Sequence, residues 1–181
     1  DEQVGSVNID YKAATKESID LLAKHGNKKI AFISGALIDA INGQARMGGY
    51  KEALAENGLD YNEGLIFEAP YNFKEGLALT ERILNSGATA AYVTDDELAI
   101  GLLDGLIDKG VKVPEDFEII TSNDSLLTEV ARPRLSSVTQ PLYDIGAVAM
   151  RLLTKMMNKE EIEQKTIELP HGIFEKGSTK E

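Results

Sequence analysis

The eleven residues Ala90-Ala91-Tyr92-Val93-Thr94-Asp95-Asp96-Glu97-Leu98-Ala99-Ile100 decide the fold class of this chain. Four apolar, strand-favouring residues run into a hydroxyl-and-acid step, and apolar residues at helical spacing follow at once. Asp95 and Asp96 stand where an N-cap and a first-turn acid would start a helix. The same unit recurs along the chain. Short β-rich runs lie at Val7–Ile9, Lys29–Ile33, Leu65–Phe67, Ala90–Val93, Phe117–Ile120 and Ser137–Thr139. Amphipathic stretches at about 11–25, 43–57, 73–86 and 95–109 alternate with them, and Gly26, Gly58, Gly87 and Gly110 stand as their C-terminal stops. Asp10 is the expected N-cap of the first. Strand alternating with helix predicts an α/β fold, a parallel sheet sandwiched by helices.

The pattern changes after Ser137. Gln140-Pro141 interrupts it, since proline cannot donate into a central strand. One long amphipathic segment, Tyr143 to Met157, is followed by the polar Asn158–Glu161 and a strand at Thr166–Leu169. A single sheet has no use for this excursion, nor for Val4–Ile9 ahead of the first helix. Both read as pieces of a second lobe.

Composition narrows the function. The chain has 181 residues, which predicts one domain plus an appendage. Its 19 basic and 30 acidic residues give a net charge of −11, so this segment is a poor binder of nucleic acid by itself. With no cysteine, thiolate catalysis, iron–sulfur clusters and disulfides drop out. No apolar run is long enough to span a bilayer. The opening Asp1-Glu2-Gln3 lacks a basic and an apolar signal region, so a retained signal peptide is not expected, although a cleaved one remains open.

In open parallel sheets ligands bind beyond the carboxyl ends of the strands, where helix N-termini converge. The residues placed there are Ser34-Gly35 with Arg46, then Tyr71, Thr94-Asp95-Asp96, Ser122-Asn123-Asp124 and Gln140. Amides, carboxylates, hydroxyls, one aromatic and one arginine on one rim suit a polyhydroxylated ligand or a sugar phosphate. Blander readings stand beside this one. Asp95-Asp96 also reads as a helix cap, Ser122–Ser125 as a plain turn, Arg46 as a solvated helix charge and Tyr71 as a packing residue. The only histidines, His25 and His171, lie off the rim and read as capping or surface groups. No catalytic or metal-ligating constellation is present, so an enzyme is not expected.

The late helix carries its own signal. Asp144, Val148, Arg151 and Lys155 share one face, beside an apolar stripe of Ile145, Ala149, Leu152 and Met156. Two cations at i,i+4 on an acidic protein form a receptor for a phosphate or an acidic partner, or else a solvated face.

Several of these stretches resemble the regulatory core of the lactose/galactose-repressor family. They are Lys29–Gly35, Arg46-Met47-Gly48-Gly49-Tyr50, Ala90–Ile100, Val113-Pro114-Glu115-Asp116 and Arg132-Pro133 with Ser137–Pro141. The run Gln140–Met157 is similar to the subgroup that governs carbon catabolite repression. The resemblance implies a periplasmic-binding-protein-like (type I) core, of which this chain holds one nearly complete lobe. Residues 1–10 would end the N-terminal lobe and residues 11–140 form the C-terminal effector-binding lobe. Residues 141–170 would return to the N-terminal lobe, and residues 171–181 close the C-terminal one. By the same resemblance Arg46, Tyr71, Asp95, Asn123 and Gln140 hold an effector. Thr121-Ser122-Asn123-Asp124 departs there from the usual Gly-aromatic-Asp. Tyr143, Asp144, Arg151 and Lys155 match positions that engage serine-phosphorylated phosphocarrier protein HPr, with Arg151 and Lys155 at the phosphoserine. Further implications are a cytoplasmic homodimer, operator DNA bound through a headpiece outside this segment, and no cofactor. Fructose 1,6-bisphosphate or glucose 6-phosphate would be adjunct effectors. Another sugar-responsive repressor of the family, or an extracytoplasmic sugar-binding protein of the same fold, is the alternative.

Overall fold

The computed structural model describes residues 5–38 and 40–180, with residues 40–42 described by their backbone only. Residues 1–4 of the expected first segment, and residue 181 of the closing one, lie outside the described residues. The elements run β1 (Ser6–Ile9), α1 (Tyr11–Lys24), β2 (Ile30–Ser34), α2 (Arg46–Glu56), β3 (Ile66–Glu68), α3 (Phe73–Asn85), β4 (Ala90–Val93) and α4 (Asp96–Asp108). They continue as β5 (Glu118–Thr121), α5 (Leu126–Val130), β6 (Ser136–Thr139), α6 (Leu142–Met157), β7 (Thr166–Leu169) and β8 (Gly172–Phe174).

Six strands form one sheet in the order β3-β2-β4-β5-β6-β8, parallel except for β8, which runs antiparallel to β6. The α/β class is therefore borne out. β1 and β7 stand apart as a two-stranded parallel sheet, paired Ser6 to Thr166 through Ile9 to Leu169.

Every residue of β2, β4 and β5 is buried, because helices cover both faces of the sheet. Alternate residues feed two cores. Ile33, Val93 and Ile119 pack with Leu79, Ile83, Leu98 and Leu102 of α3 and α4. Ile30, Phe32, Tyr92 and Ile120 pack with Ile19, Leu22, Tyr50 and Leu54 of α1 and α2. The helix pairs approach closely through glycine. A Cβ on Gly101 would stand 2.0 Å from the Phe73 carbonyl oxygen, and one on Gly76 would stand 2.1 Å from that of Leu98.

Most helix bounds follow the sequence. Asp10 caps α1 by accepting from Ala13 N at 2.9 Å, and Gly26, Gly58, Gly87 and Gly110 all take positive φ after their helices. Two features differ from expectation. The stretch read as the start of the second helix is a π-helical turn, Ala40–Ala45, that hands over to α2 at Arg46. Ser122–Ser125 is not only a turn, because Ser125 caps the short α5. His25 is the C-cap residue of α1, as its position in the sequence predicts, and both histidines also have carboxylate partners. His25 Nδ1 lies 2.7 Å from the fully buried Glu118, and His171 Nε2 lies 3.3 Å from Glu17.

Candidate functional site

β2 sends the chain to β3 on one side, whereas β4 sends it to β5 on the other, so a crevice opens beyond the carboxyl ends of β2 and β4. Arg46 opens α2 beside that crevice. Its reading as a solvated charge does not hold, since the residue is 3% exposed. One guanidinium NH donates to the Thr94 carbonyl at 3.1 Å, and the group lies 4.6 Å from the centroid of the Tyr11 ring. Among the described residues no carboxylate pairs with it, and its Nε–H is buried without a partner. A buried cation in that state is costly unless something satisfies it.

The other rim residues join Arg46 through its contact with the Tyr11 ring, through Thr94 and through hydrogen bonds among themselves. The Tyr11 hydroxyl donates to Gln140 Oε1 at 3.3 Å, and Gln140 Nε2 donates to the Ser122 carbonyl at 2.7 Å and to Asn123 Oδ1 at 3.2 Å. Asn123 Nδ2 reaches Asp95 Oδ2 at 3.5 Å. Thr94 Oγ1 donates to the Tyr71 hydroxyl at 3.1 Å. Tyr71 is 39% exposed and lies across Gly35, where a Cβ would stand 2.7 Å from its Cζ. Glycine at 35 is thus what lets the phenol reach the rim. The structure brings Arg46, Tyr71, Asp95, Asn123 and Gln140 into one connected set.

The two adjacent acids have separate work. Asp95 caps α4 by accepting from Glu97 N and Leu98 N, each at 3.0 Å, while its other oxygen faces Asn123. Burial holds its carboxyl above the usual range despite the Leu98 hydrogen bond, and the charge of Asp96 adds to the effect. Asp96 is buried and structural. It accepts from Thr121 Oγ1 at 2.8 Å, Asn123 N at 3.2 Å and Ser125 N at 2.7 Å, and so ties the loop after β5 to α4. Tyr11, beneath the guanidinium, was not singled out in the sequence. An aromatic directly after the N-cap of the first helix was the available signal.

The second candidate surface is on α6. Tyr143, Asp144, Arg151 and Lys155 are all exposed. Neither Arg151 nor Lys155 makes an ion pair or hydrogen bond among the described residues. Both line a groove of about 430 Å³ between α6 and the segment leading into β7, together with the apolar Leu152 and Ile167 and the acidic Glu161 and Glu163. A second stripe of α6, made of Leu142, Met150, Leu153 and Met157, is also exposed, and the sequence reading did not separate it from the packed one. Among the described residues no His, Asp or Glu side chains group as a metal site, and no helix is long and apolar enough to cross a membrane.

A polar rim at the switch point of a mostly parallel, helix-covered sheet defines a ligand-receptor class of fold. The chain belongs to the family of periplasmic binding protein-like domains, whose profile matches residues 19–179. Catabolite control protein A of Streptococcus mutans is 60% identical over 180 residues, which are 99% of this chain and 54% of that protein. The crystal structure of the transcription regulator CcpA of Lactococcus lactis matches with a TM-score of 0.95 at 54% identity, over 97% of this chain and 65% of that one. A complex of the transcriptional regulator CelR with cellobiose matches with a TM-score of 0.91 at 30% identity, over 98% of this chain and 54% of that one. The resemblance to regulators read in the sequence is thus borne out. The chain spans about half the length of the relatives it matches by sequence.

Proposed function

We propose that this chain is the greater part of the regulatory core of a transcription regulator of carbon catabolite repression. In the intact protein, residues 11–140 and 171–181 form the effector-binding lobe, and residues 1–10 and 141–170 contribute to the other. Docking of serine-phosphorylated HPr on α6 favours the arrangement of a cytoplasmic homodimer that presents its DNA-binding headpieces to an operator. The regulator works by differential affinity for two conformations and does no chemistry on its ligand. Arg151 and Lys155 receive the phosphoserine, and Tyr143 and Asp144 flank it.

The observation that carries this reading is the exposed, unpaired pair Arg151 and Lys155 at one groove on a strongly acidic chain. Two such cations attract a dianion, and Arg can bind it through two hydrogen bonds. The test is operator binding by the parent protein at fixed salt, titrated with phosphorylated and unphosphorylated HPr. Only the phosphorylated form should stimulate binding, and Arg151→Ala should abolish the difference. Equal effects of the two forms would sink the assignment.

The crevice supports a second, small-molecule input. The unsatisfied Nε–H of Arg46, in a rim network that also holds Asp95 and Asn123, suits a sugar hydroxyl or a sugar phosphate, with fructose 1,6-bisphosphate and glucose 6-phosphate as candidates. Calorimetric titration with fructose 1,6-bisphosphate, glucose 6-phosphate and cellobiose tests it. Heat from none of the three would count against this input.

A further inference from the structure

The loop after β5 sets Asn123 between Asp95 and Gln140, yet the next residue, Asp124, sits in the left-handed region with φ +52°. A non-glycine residue stays there only when its surroundings hold it. Here the hold comes from the far end of the chain. Lys176 Nζ donates to Asp124 Oδ1 at 2.6 Å and to Thr128 Oγ1 at 2.9 Å, and pairs with Glu129 Oε1 at 2.7 Å. Ser137 Oγ donates to the same Asp124 oxygen at 2.7 Å.

The ammonium is delivered from a fixed support. The Lys176 side chain is 6% exposed, and its backbone N–H donates to Ser136 Oγ at 2.7 Å. Two residues further on, Ser178 bridges β5 and β6 by donating to the Ile119 carbonyl and accepting from Ser136 N. Burial is the largest influence and opposes the ionised forms of both partners, but their mutual hydrogen bond, those from Ser137 and to Glu129, and the opposite charges together outweigh it. The Asp124 carboxyl accordingly lies below its usual range and the Lys176 ammonium above.

We infer that Lys176 is the positioning residue of the rim loop: it holds Asp124 in the left-handed conformation, so sets Asn123 toward Asp95 and Gln140, and locks α5 to the same anchor through Thr128 and Glu129. One cation thereby makes the rim loop and α5 a single unit. The placement of the loop stands on its own geometry. Its consequence for a ligand rests on the crevice reading above.

The experiment uses the 181-residue chain and its Lys176→Met and Lys176→Arg variants. Amide hydrogen exchange at Asn123 and Ser125, which donate to Asp96, is followed by NMR beside exchange at Phe32 and Tyr92. Lys176→Met should raise exchange at Asn123 and Ser125 by about tenfold or more, the loss of a charged hydrogen bond, and leave Phe32 and Tyr92 unchanged. Lys176→Arg should stay near wild type. No rise at the two loop amides, or an equal rise at all four, would overturn the inference, the second outcome marking a merely structural lysine. Should Lys176→Met not fold, Ser137→Ala removes one donor from Asp124 and should give a smaller rise confined to the same amides, and its absence would count against the inference equally. Calorimetry with cellobiose separates the two claims. Wild-type binding weakened about tenfold in Lys176→Met supports both. Unchanged affinity in a variant with a loosened loop removes the consequence for the ligand. Binding of neither cellobiose nor the two sugar phosphates by wild type sinks the crevice reading, while the exchange result still decides the role of Lys176.

Discussion

Replacing Arg46 by methionine should separate binding from stability. The guanidinium donates to the Thr94 carbonyl at 3.1 Å and stacks 4.6 Å from the Tyr11 centroid. Losing a charged hydrogen bond costs about 1.5–3 kcal/mol, and losing a cation–π contact costs about 0.5–2 kcal/mol. Against this, wild type keeps a cation at 3% exposure with no carboxylate partner and an unsatisfied Nε–H. The effective penalty for burying such a charge is several kcal/mol, and methionine, an apolar chain of similar reach, does not incur it. The opposing terms nearly cancel, so Arg46→Met should change stability by no more than about 1 kcal/mol, with slight stabilisation allowed. Binding should respond differently. A ligand that uses the free Nε–H and its neighbouring NH should weaken by roughly ten- to a hundredfold. Urea unfolding followed by circular dichroism measures the first quantity, and calorimetry with glucose 6-phosphate and cellobiose measures the second. A loss of more than about 3 kcal/mol would refute the reasoning, because Arg46 would then be a structural tie, with its burial explained without a ligand.

Three further outcomes follow from other parts of the molecule. Glu118 is fully buried and accepts from Asn27 Nδ2 and Lys180 N, with His25 Nδ1 at 2.7 Å. Burial raises its pKa, but the hydrogen bonds from Lys180, Asn27 and His25 outweigh it and leave the carboxyl below its usual range. Its contribution is therefore complete above the unfolded-state pKa of about 4.3 and fades as pH falls through the lower folded-state value. Urea midpoints measured between about pH 3 and 6 should show that slope, and Glu118→Gln should flatten it. Gly101→Ala drives a methyl to 2.0 Å from the Phe73 carbonyl oxygen, where backbone has to move. A loss of about 2–3 kcal/mol is expected, read as a melting temperature lower by roughly 5–10 °C. Asp95→Asn keeps an N-cap of equal quality, so stability should hold within about 0.5 kcal/mol. Removing the negative charge from the rim should strengthen binding of glucose 6-phosphate relative to cellobiose, and an unchanged ratio in calorimetry would place the phosphate away from Asp95.

The centre of the large sheet was legible because β2 and β4 each serve two cores. Ile30 and Phe32 face α1 and α2 while Ala31 and Ile33 face α3 and α4, so β2, like β4, reads as a continuous apolar run ended by a polar step. That polar step is the rim, which is why Asp95, Asn123 and Gln140 could be placed together from the order of the strands. Depth was not legible. Arg46 is polar by type and sits in a helix, and its burial is set by Tyr11 and Thr94, which lie 35 and 48 residues away in the chain. The hold on Asp124 by Lys176 spans 52 residues and leaves no local pattern. α5 escaped notice because five residues are too few to show a helical period.

The late helix raises the opposite difficulty, since its period was plain and its surroundings were not. Leu152 is buried, with Ile145, Ala149 and Met156 half-buried beside it. Next to them around the helix, Leu142, Met150, Leu153 and Met157 are between 49% and 74% exposed. The two sets make one broad apolar arc of about 160°, of which only one flank is covered, whereas a surface helix buries its apolar stripe. The element it packs against is equally incomplete. β1 and β7 form a two-stranded sheet whose outer edges pair with no further strand among the described residues, leaving α6 as its cover. Both deficits fall on the same side of the molecule, since α6 packs on β1. Relatives about twice as long supply the chain that a second lobe requires. The exposed stripe and the short sheet are thus accounted for together if a lobe outside this segment extends the sheet and covers the helix, leaving Arg151 and Lys155 on the face that stays open.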